Sequence, residues 1–348
     1  MTKSSFLATK RTLLACAAGL AFGALAAAPA QSQTDEAAFY KGKNIRVIVG
    51  FSPGGGYDAY ARMMAPYLGQ RLGANIVVEN MPGAGSMTAM NALYAAEADG
   101  LRMMLANGTA AGLSQIMDSP AARFDLANYS HLGTVSASPW VWLVHKDTPE
   151  KTPADFIKSG RLINWSATGP IDGLSDGAQI TCAITKLNCK IVMGYKGSND
   201  AGLAITRKEM DAVFVSDTSA NNYVRSNDLH AVANMSRTRS RFFPDVPTIY
   251  EAVKLTPDDE WLMDFHGTVQ DLGRILIAPP NMAPARLAYL RAMIKDTLAD
   301  PKLRSEGEKT QRYIDFIDAD KTMQNVRRAI SDITPAQKKR VQMILSAK

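Results

Sequence analysis

One recurring local pattern constrains the fold of this chain more than any other feature. From residue 44 onward, a short β-branched run is followed by a turn rich in Gly, Ser, Thr or Asp and then by a segment with 3.6-residue apolar periodicity. Strands are predicted at about residues 44–50, 75–79, 101–106, 141–145, 162–166, 190–194, 212–216, 230–233 and 274–277. Strands that alternate with helices form largely parallel sheets covered by helices, so the pattern predicts an α/β fold.

The helix after the first predicted strand shows the helical period most clearly. Its apolar side chains recur on one face and are Tyr60, Met63, Met64, Tyr67, Leu68 and Leu72. We interpret this face as core rather than as a Met-rich binding surface.

The N-terminal segment predicts export. Its first 12 residues contain three basic residues and no acidic residue, an Ala-rich apolar run follows over residues 13–28, and Ala28-Pro29-Ala30 has the pattern of a cleavage site. The run is shorter than the roughly 20 residues that a membrane-spanning helix needs, which disfavours an anchor. We therefore predict a signal peptide over residues 1–30.

The charge of the chain disfavours nucleic acid as a partner. Cleavage after residue 30 removes three of the 39 basic residues and none of the 33 acidic residues, which leaves a net charge of +3. Nucleic-acid-binding proteins have a clustered basic face, whereas the basic residues of this chain are scattered.

Two of the three cysteines, Cys182 and Cys189, remain after cleavage. A disulfide between them is expected in an oxidising compartment. Seven residues on one continuous helix span roughly 10 Å, which exceeds the reach of a disulfide, so a helix has to end between the two cysteines, for instance at Leu187-Asn188. The alternative is a pair of free, buried thiols.

Two glycine-rich turns join predicted strands to helices. They are residues 51–58 (FSPGGGYD) and residues 80–86 (NMPGAGS). Glycines expose the N–H groups of a helix N-terminus, where the helix dipole favours an anion. Neighbouring parallel strands end at the same edge of a sheet, so the two turns predict a shared anion pocket. The alternative is that the glycines only permit the turns.

The two turns do not fit a dinucleotide motif. The third glycine position of G-x-G-x-x-G is Ala59 in the first turn and Thr88 in the second. The four histidines also lack the spacing of a zinc site. We therefore expect no cofactor and no metal, and a carboxylate as the anion.

Four motifs in order carry a resemblance to a known family. They are residues 45–58 (IRVIVGFSPGGGYD), 77–85 (VVENMPGAG), 195–198 (YKGS) and 243–248 (FPDVPT). The chain resembles, over nearly all of its length after residue 30, the substrate-binding receptors of tripartite tricarboxylate transporters, also called the Bordetella uptake (Bug) receptor family. The resemblance implies a periplasmic, two-lobed, type II periplasmic-binding-protein fold that closes on a small carboxylate and delivers it to a membrane permease.

The resemblance also implies how the chain is divided. The first lobe is expected to comprise residues 37–139 and 236–348, and the second lobe residues 140–235. Two crossings between the lobes form a hinge that can close without unfolding either core. We expect a monomer whose partners are the permease subunits and, as a further alternative, a membrane sensor kinase.

The ligand-binding residues that the resemblance implies lie on both lobes. Backbone amides of the two glycine turns are expected to hold one carboxylate, and residues of the second lobe complete the site. The expected residues are Phe51, Ser52, Pro53, Gly54, Gly55, Gly56, Asp58, Gly83, Ala84, Gly85, Ser86 and Asn107 in the first lobe, and Ser166, Thr168, Gly169, Tyr195, Lys196, Ser198, Asp217 and Thr218 in the second.

Several of these residues have structural alternatives. Asp58 is also explained as a first-turn acid that complements its helix dipole. Ser198 is expected to cap a helix that starts at Asn199, and Ser175 one that starts at Asp176.

Two acidic residues bear on the chemistry of the ligand. Asp172 and Asp217 would repel a dianion if they faced it, which favours a ligand with an amine, a hydroxyl or an aromatic body over citrate. The alternative is that either acid points to solvent.

An exported serine hydrolase is the competing function. Residues 173–177 (GLSDG) fit G-x-S-x-G around Ser175, and Asp217 followed by His230 or His266 matches the hydrolase order. The serine of a nucleophile elbow stands directly between a strand and a helix, whereas roughly eight residues separate Ser175 from the predicted strand before it. We therefore predict a receptor and not an enzyme.

Overall fold

The computed structural model of the protein describes residues 35–137 and 139–346. The predicted signal peptide over residues 1–30 lies outside the described residues. Within the described ranges, no helix combines the length and the apolar character needed to cross a membrane.

Five strands form the first sheet. In the spatial order β2-β1-β3-β10-β4, they are β2 (Asn75–Asn80), β1 (Asn44–Val49), β3 (Arg102–Asn107), β10 (Arg274–Ala278) and β4 (Ser130–Ser136). Strand β1 pairs in parallel with β2 and β3, whereas β10 pairs antiparallel with β3 and β4. Four strands therefore share one direction and β10 opposes them.

The second sheet repeats this arrangement. Its order is β7-β6-β8-β5-β9, with β7 (Cys189–Val192), β6 (Ile163–Ser166), β8 (Ala212–Ser216), β5 (Trp140–His145) and β9 (Leu229–Asn234). Only β5 opposes the other four strands. The predicted α/β fold with mostly parallel sheets is confirmed.

Helices flank both sheets. They are α1 (Gly56–Leu72), α2 (Met87–Tyr94), α3 (Gly108–Ile116), α4 (Pro153–Ser159), α5 (Gly173–Thr185), α6 (Ser198–Thr206), α7 (Asp217–Arg225), α8 (Ile249–Ala252), α9 (Pro257–Gln270), α10 (Pro284–Leu298), α11 (Pro301–Lys309), α12 (Ala319–Ser331) and α13 (Pro335–Leu345). Residues 35–40 are also helical, and Ala84–Ser86 and Leu126–Asn128 form short 3₁₀ turns. In α1, Tyr60, Met63, Met64, Leu68 and Leu72 are buried as predicted, and Tyr67 is partly buried against the same core.

The chain passes between the two sheets twice, from β4 to β5 and from β9 to β10. Helix α9, in the second passage, packs against α3 beside the first sheet and against α5 beside the second. One apolar core accordingly contains Met104 of the first sheet, Phe214 of the second and Leu262 of α9. The two lobes are thus joined by packing as well as by the chain.

The predicted disulfide is present between Cys182 and Cys189, whose Cα atoms are 6.2 Å apart. Helix α5 ends at Thr185, and Lys186 follows with a φ of +56°. The helix therefore ends between the cysteines, as their spacing requires, and the bond fastens α5 to the edge strand β7.

Strand β4 is the strand that the sequence pattern missed. All seven residues of β4 are buried. Its sequence, SHLGTVS, has only two β-branched residues, Thr134 and Val135, and contains a glycine. The pairing of β4 with β10 shifts register twice, and Gly133 has a φ of +133°. An irregular strand of this kind lacks the apolar run on which the prediction depended.

Candidate ligand-binding site

Asp58 shapes the first glycine loop. Its Oδ2 accepts from the Gly54 N–H at 2.9 Å, and its carboxylate also accepts from Arg62 Nε and from Asn80 Nδ2. Burial acts to raise the pKa of Asp58, but these hydrogen bonds outweigh burial and lower that pKa below its usual value. Asp58 is 3% exposed and lies in no cavity lining given below, so it positions the loop from behind.

A cavity lies between the two sheets at this loop. From the first lobe it is lined by Phe51, Gly55, Gly56, Tyr57, Asn107, Thr109, Gly273 and Arg274, and from the second by Trp140, Leu174, Ser198, Val215, Ser216 and Ser219. We call it the interlobe cavity. It brings the first glycine loop together with the predicted residues Asn107 and Ser198.

Three helices direct their N-termini toward the interlobe cavity without a side-chain cap. Gly55, Gly197 and Ser216 are the N-cap residues of α1, α6 and α7, and none of the three makes a side-chain cap hydrogen bond within the described residues. The first-turn N–H groups of a helix have no partner inside the helix, and the helix dipole adds partial positive charge there. The Asp217 N–H of α7 already donates to the Pro139 carbonyl oxygen at 2.8 Å, so donors for an anion come from α1 of the first lobe, from α6 of the second and from the rest of the first turn of α7.

Arg274 is a residue of the cavity that the sequence analysis missed. It begins β10, is 4% exposed, and donates to Ser136 Oγ at 3.2 Å and to Ser216 Oγ at 3.0 Å. Its guanidinium carbon lies 5.2 Å and 4.6 Å from the ring centroids of Tyr57 and Tyr60. Burial raises the pKa of Tyr57 to about 12, so that neighbour stays neutral beside the cation. An arginine that opens a buried strand, in GRILIA, is the sequence signal that could have identified it.

The comparison with protein families decides the class of this chain. A profile for the family described as "Tripartite tricarboxylate transporter family receptor" matches residues 60–344. The chain belongs to this receptor family. Among curated relatives of this receptor, a UPF0065 protein of Bordetella pertussis is 27% identical over 217 residues, which are 61% of this chain and 66% of the relative. The match therefore spans just under two thirds of that protein's length.

Solved structures give the fold of the receptor. The periplasmic binding protein BugD matches with a TM-score of 0.72 and 19% identity, covering 88% of this chain and 98% of that chain. MatC (Rpa3494) from Rhodopseudomonas palustris with bound malate matches with a TM-score of 0.71 and 20% identity, covering 87% of this chain and 99% of that chain. The expected two-lobed type II periplasmic-binding-protein fold is confirmed. By family the chain is a receptor of the tripartite tricarboxylate transporter type and not an enzyme, and its fold is that of the periplasmic binding proteins.

The second glycine loop of the receptor lines a different cavity. That cavity is bordered by Gly50, Phe51, Pro82, Gly83, Ala84, Gly85, Ser86, Thr168, Gly194, Tyr195 and Lys196. Phe51 borders both cavities, so the two cavities adjoin at this residue. The two glycine loops therefore line neighbouring clefts rather than one shared pocket.

A third, more polar cleft opens beside the interlobe cavity. It is lined by Gly54, Gly55, Gly56, Tyr60, Ser198, Asn199, Thr218, Ser219, Asn222, Tyr223 and Arg312. The predicted residues Gly54 and Thr218 lie here. Gly55, Gly56, Ser198 and Ser219 line both cavities, so the two spaces adjoin.

Three predicted residues line none of the three clefts, and two of them are hydrogen-bonded within the protein. Ser52 donates its N–H to the Lys196 carbonyl oxygen at 3.1 Å, which joins the first glycine loop to the second lobe. Ser166 is fully buried, and its Oγ donates to the Ala201 carbonyl oxygen at 3.0 Å. Pro53 lies in none of the three cleft linings.

Asp172 faces neither a dianion nor solvent. It is fully buried and is the N-cap of α5, where its Oδ1 accepts from the Ser175 N–H at 2.7 Å and its Oδ2 accepts from the Thr168 and Gly169 N–H groups. Burial raises the pKa of Asp172 to about 6 despite these bonds. Asp172 therefore fixes the loop that contains Thr168 and Gly169.

Asp217 is also held inside the protein. It is 3% exposed in the first turn of α7, its Oδ2 accepts from Ser240 Oγ at 2.7 Å, and burial raises its pKa above the ordinary value. Asp217 lies in none of the three cleft linings. Neither Asp172 nor Asp217 lines a cleft, so neither acid faces a ligand there and disfavours a dianion.

Both predicted serine caps were wrong in detail. Helix α6 begins at Ser198 itself, with Gly197 as its N-cap, because Gly197 takes a backbone conformation with φ 162° and ψ 178°. Helix α5 begins at Gly173, and Ser175 is the third residue of a capping box with Asp172.

The residues of the alternative hydrolase triad have other partners. Ser175 Oγ is buried and accepts from the Asp172 N–H, while Asp217 accepts from Ser240. His230 Nε2 lies 3.2 Å from the Lys151 carbonyl oxygen, and His266 is fully buried with a pKa that burial lowers to about 4. Across residues 35–137 and 139–346, no three His, Cys, Asp or Glu side chains are grouped to hold a metal.

Proposed function

We propose that the receptor binds a small carboxylate in the interlobe cavity and, acting as a monomer, delivers it to a tripartite tricarboxylate-type transporter in the membrane. One observation carries the proposal: three helix N-termini without side-chain caps, two of them from the second lobe, meet at the same cavity. Backbone N–H groups from both lobes can donate to one carboxylate only when the lobes are closed.

The closing motion follows from the connections between the sheets. We assign residues 37–139 and 236–348 to the first lobe and residues 140–235 to the second, so that the passages from β4 to β5 and from β9 to β10 form the hinge. Closure removes water from the cavity, which strengthens the hydrogen bonds to a carboxylate. The N–H of Ser52 and the carbonyl of Lys196 form one of the bonds that hold the lobes together.

The second glycine loop has a supporting role in this proposal. Gly83, Ala84, Gly85 and Ser86 form the contact surface of the neighbouring cleft with Thr168, Tyr195 and Lys196. Ser86 and Thr168 each have a hydroxyl oxygen that is buried and makes no hydrogen bond within the described residues. Ordered water between these hydroxyl groups would satisfy them and support the ligand site.

Export supports the proposed location. A signal peptide over residues 1–30 would deliver the receptor to the periplasm, where the transporter collects its substrate. The malate in the MatC structure belongs to that protein, but it supports starting the ligand search with dicarboxylates.

A thermal-shift screen tests the proposal. The probes are malate, adipate, citrate, aspartate, benzoate and nicotinate. A ligand at about 100 times its Kd stabilises the folded protein by about 2.7 kcal/mol, which raises Tm measurably. We expect a saturable rise in Tm with at least one of these carboxylates.

Two glycine variants localise the binding. In Gly56→Val, the added Cβ lies 3.1 Å from Ser219 Oγ and 3.3 Å from Arg274 Nη2, so the side chain fills the ligand space. Gly267→Val is the matched control, because a Cβ at Gly267 has no atom within 4 Å. The Gly267 variant should keep the shift and the Gly56 variant should lose it. An absence of any shift in the wild type, or an equal shift in both variants, contradicts the proposal.

A further inference from the structure

We propose that Arg274 binds the ligand's carboxylate as a bidentate pair and thereby makes the receptor select an acid over the corresponding amide. The inference rests on the proposed function, because it assigns a residue to the ligand in the interlobe cavity. Arg274 lines that cavity from the first lobe.

The guanidinium is held in place before a ligand arrives. Its carbon lies 4.6 Å from the centroid of Tyr60 and 5.2 Å from that of Tyr57, and the residue is 4% exposed. Rings in this arrangement attract a cation and restrict its rotation. A side chain that is already ordered loses less conformational entropy on binding, which favours affinity.

Positive charge accumulates around this group. A Cβ on Gly56 would lie 3.3 Å from Arg274 Nη2, so the guanidinium stands beside the first residue of α1. The same Nη2 donates to Ser216 Oγ at 3.0 Å and to Thr218 Oγ1 at 3.4 Å, at the start of α7. The positive ends of two helix dipoles thus adjoin a buried cation, and a bound anion would offset all three.

Asp217 offsets part of this charge within the protein. The attraction of Arg274 acts to lower the pKa of Asp217, while burial raises it. The Asp217 Oδ2 atom is engaged by Ser240, and Asp217 does not line the cavity. Its carboxylate therefore contributes to the charge balance from outside the ligand space.

The chemistry of the donors favours a carboxylate. A guanidinium is a planar fork of N–H groups that matches two carboxylate oxygens, which an ammonium does not. The hydroxyl acceptors of Arg274, on Ser136, Ser216 and Thr218, are neutral. A carboxylate is charged and forms the stronger hydrogen bond, so it can replace a hydroxyl group as the acceptor.

Isothermal titration of acid and amide pairs tests this role. The probes are malate, adipate and benzoate with malamide, adipamide and benzamide, and the proteins are wild type, Arg274→Gln and Arg274→Lys. We expect Arg274→Gln to weaken binding of the best acid by about 100-fold and of its amide by less than about threefold. Arg274→Lys keeps the charge but loses the fork, and we expect a loss of about tenfold.

Arg241→Gln is the matched control. Arg241 also stacks on a tyrosine, at 4.4 Å from the Tyr313 centroid, but its side chain is 53% exposed and lies in none of the three cleft linings. The affinity of Arg241→Gln for the acid should match that of the wild type. Circular dichroism and the ligand-free Tm establish that each variant is folded. If Arg274→Gln is not folded, the affinities of Arg274→Lys for the acid and the amide decide the role of Arg274.

The outcomes separate the two proposals. If the wild type binds an acid, Gly56→Val loses it and Arg274→Gln binds within about threefold of wild type, the role of Arg274 is overturned and the proposed function stands. Equal losses of affinity for the acid and the amide in Arg274→Gln also overturn the role of Arg274 in selectivity, because they indicate a structural role. If the wild type binds none of the acids, the proposed function fails and the role of Arg274 with it.

Discussion

Gly85 and Gly169 pack backbone against backbone across the cleft. A Cβ atom on Gly169 would lie 2.9 Å from the Gly85 nitrogen, and a Cβ on Gly85 would lie 3.1 Å from the Ile171 carbonyl oxygen. Gly85 also has a φ of +63°, which L-residues adopt only with strain. The second glycine loop is therefore a close contact between the lobes, with no space for a side chain on either glycine.

We expect Gly85→Val to abolish carboxylate binding without unfolding the protein, because the added side chain holds the lobes apart. The measurement is the Kd of the best carboxylate by isothermal titration, together with the Tm of the ligand-free protein. Gly160→Val is the control: Gly160 has a φ of +60°, but a Cβ there has no atom within 4 Å. Equal affinity in the two variants would contradict the closing role of Gly85.

Removal of the Asp58 carboxylate should disorder the first glycine loop. Asp58→Ala leaves the Gly54 N–H without this acceptor and removes one of the two acceptors of Asn80 Nδ2, which also donates to the Phe51 carbonyl oxygen. The loss of a buried acceptor of this kind costs about 1–3 kcal/mol. We expect both the free energy of unfolding in urea and the carboxylate affinity to fall. Asp118→Ala, which removes an exposed ion pair with Lys338, should change neither by more than about 1 kcal/mol. Unchanged affinity in Asp58→Ala would show that the loop keeps its shape without this side chain.

The disulfide should matter for stability and not for binding. Cys182 and Cys189 are seven residues apart, and closing a loop of this length in the unfolded chain is worth about 2–3 kcal/mol. The Cys182→Ser, Cys189→Ser double variant should lose about that much free energy of unfolding, and its Kd should be unchanged because neither cysteine lines a cleft. A tenfold weaker Kd would instead connect the end of α5 to the ligand site.

His266 should make the protein sensitive to acid. Burial lowers the pKa of His266 to about 4 from 6.5, so the unfolded chain takes up the proton first as the pH falls. The stability that depends on neutral His266 is full above pH 6.5 and is lost between pH 6.5 and 4, by about 3 kcal/mol. His266→Gln should remove this dependence. Parallel unfolding free energies for wild type and variant across that range would contradict it.

Asp172 acts in the opposite direction over part of the same range. Its pKa is raised to about 6 by burial, so its contribution to stability is full below about pH 3.8 and is lost as the pH rises to about 6. The His266 effect therefore has to be measured as a difference between the variant and the wild type, in which the Asp172 contribution is common to both.

Local patterns accounted for most of the fold. Nine of the ten strands among the described residues, helix α1 and the helix end between Cys182 and Cys189 follow from periodicity and spacing within short segments. Strand β4 was missed because its sequence, SHLGTVS, has no apolar run, and its pairing with β10 is irregular. Its burial comes from the sheet and from α12, which are distant in sequence.

The candidate site was only partly predictable, because it is built from segments that are distant in the sequence. Gly55, Gly56 and Ser198 carry a local signal, since glycine and serine mark the start of a helix. For Arg274 the local signal is weaker: an arginine at the start of a buried strand marks it, but its environment is built by Tyr57 and Tyr60 from the other end of the chain. The two glycine loops line separate clefts that share Phe51, and this arrangement depends on tertiary packing that sequence alone does not give.

The most direct test of the central claim is a crystal structure of the receptor with the carboxylate that gives the largest rise in Tm. We predict carboxylate oxygens within about 2.7–3.2 Å of backbone nitrogens at the N-termini of α1 and of α6 or α7, in the interlobe cavity. A carboxylate bound only in the cleft of Gly83 to Ser86, or bound outside the contact region of the two lobes, would contradict the account.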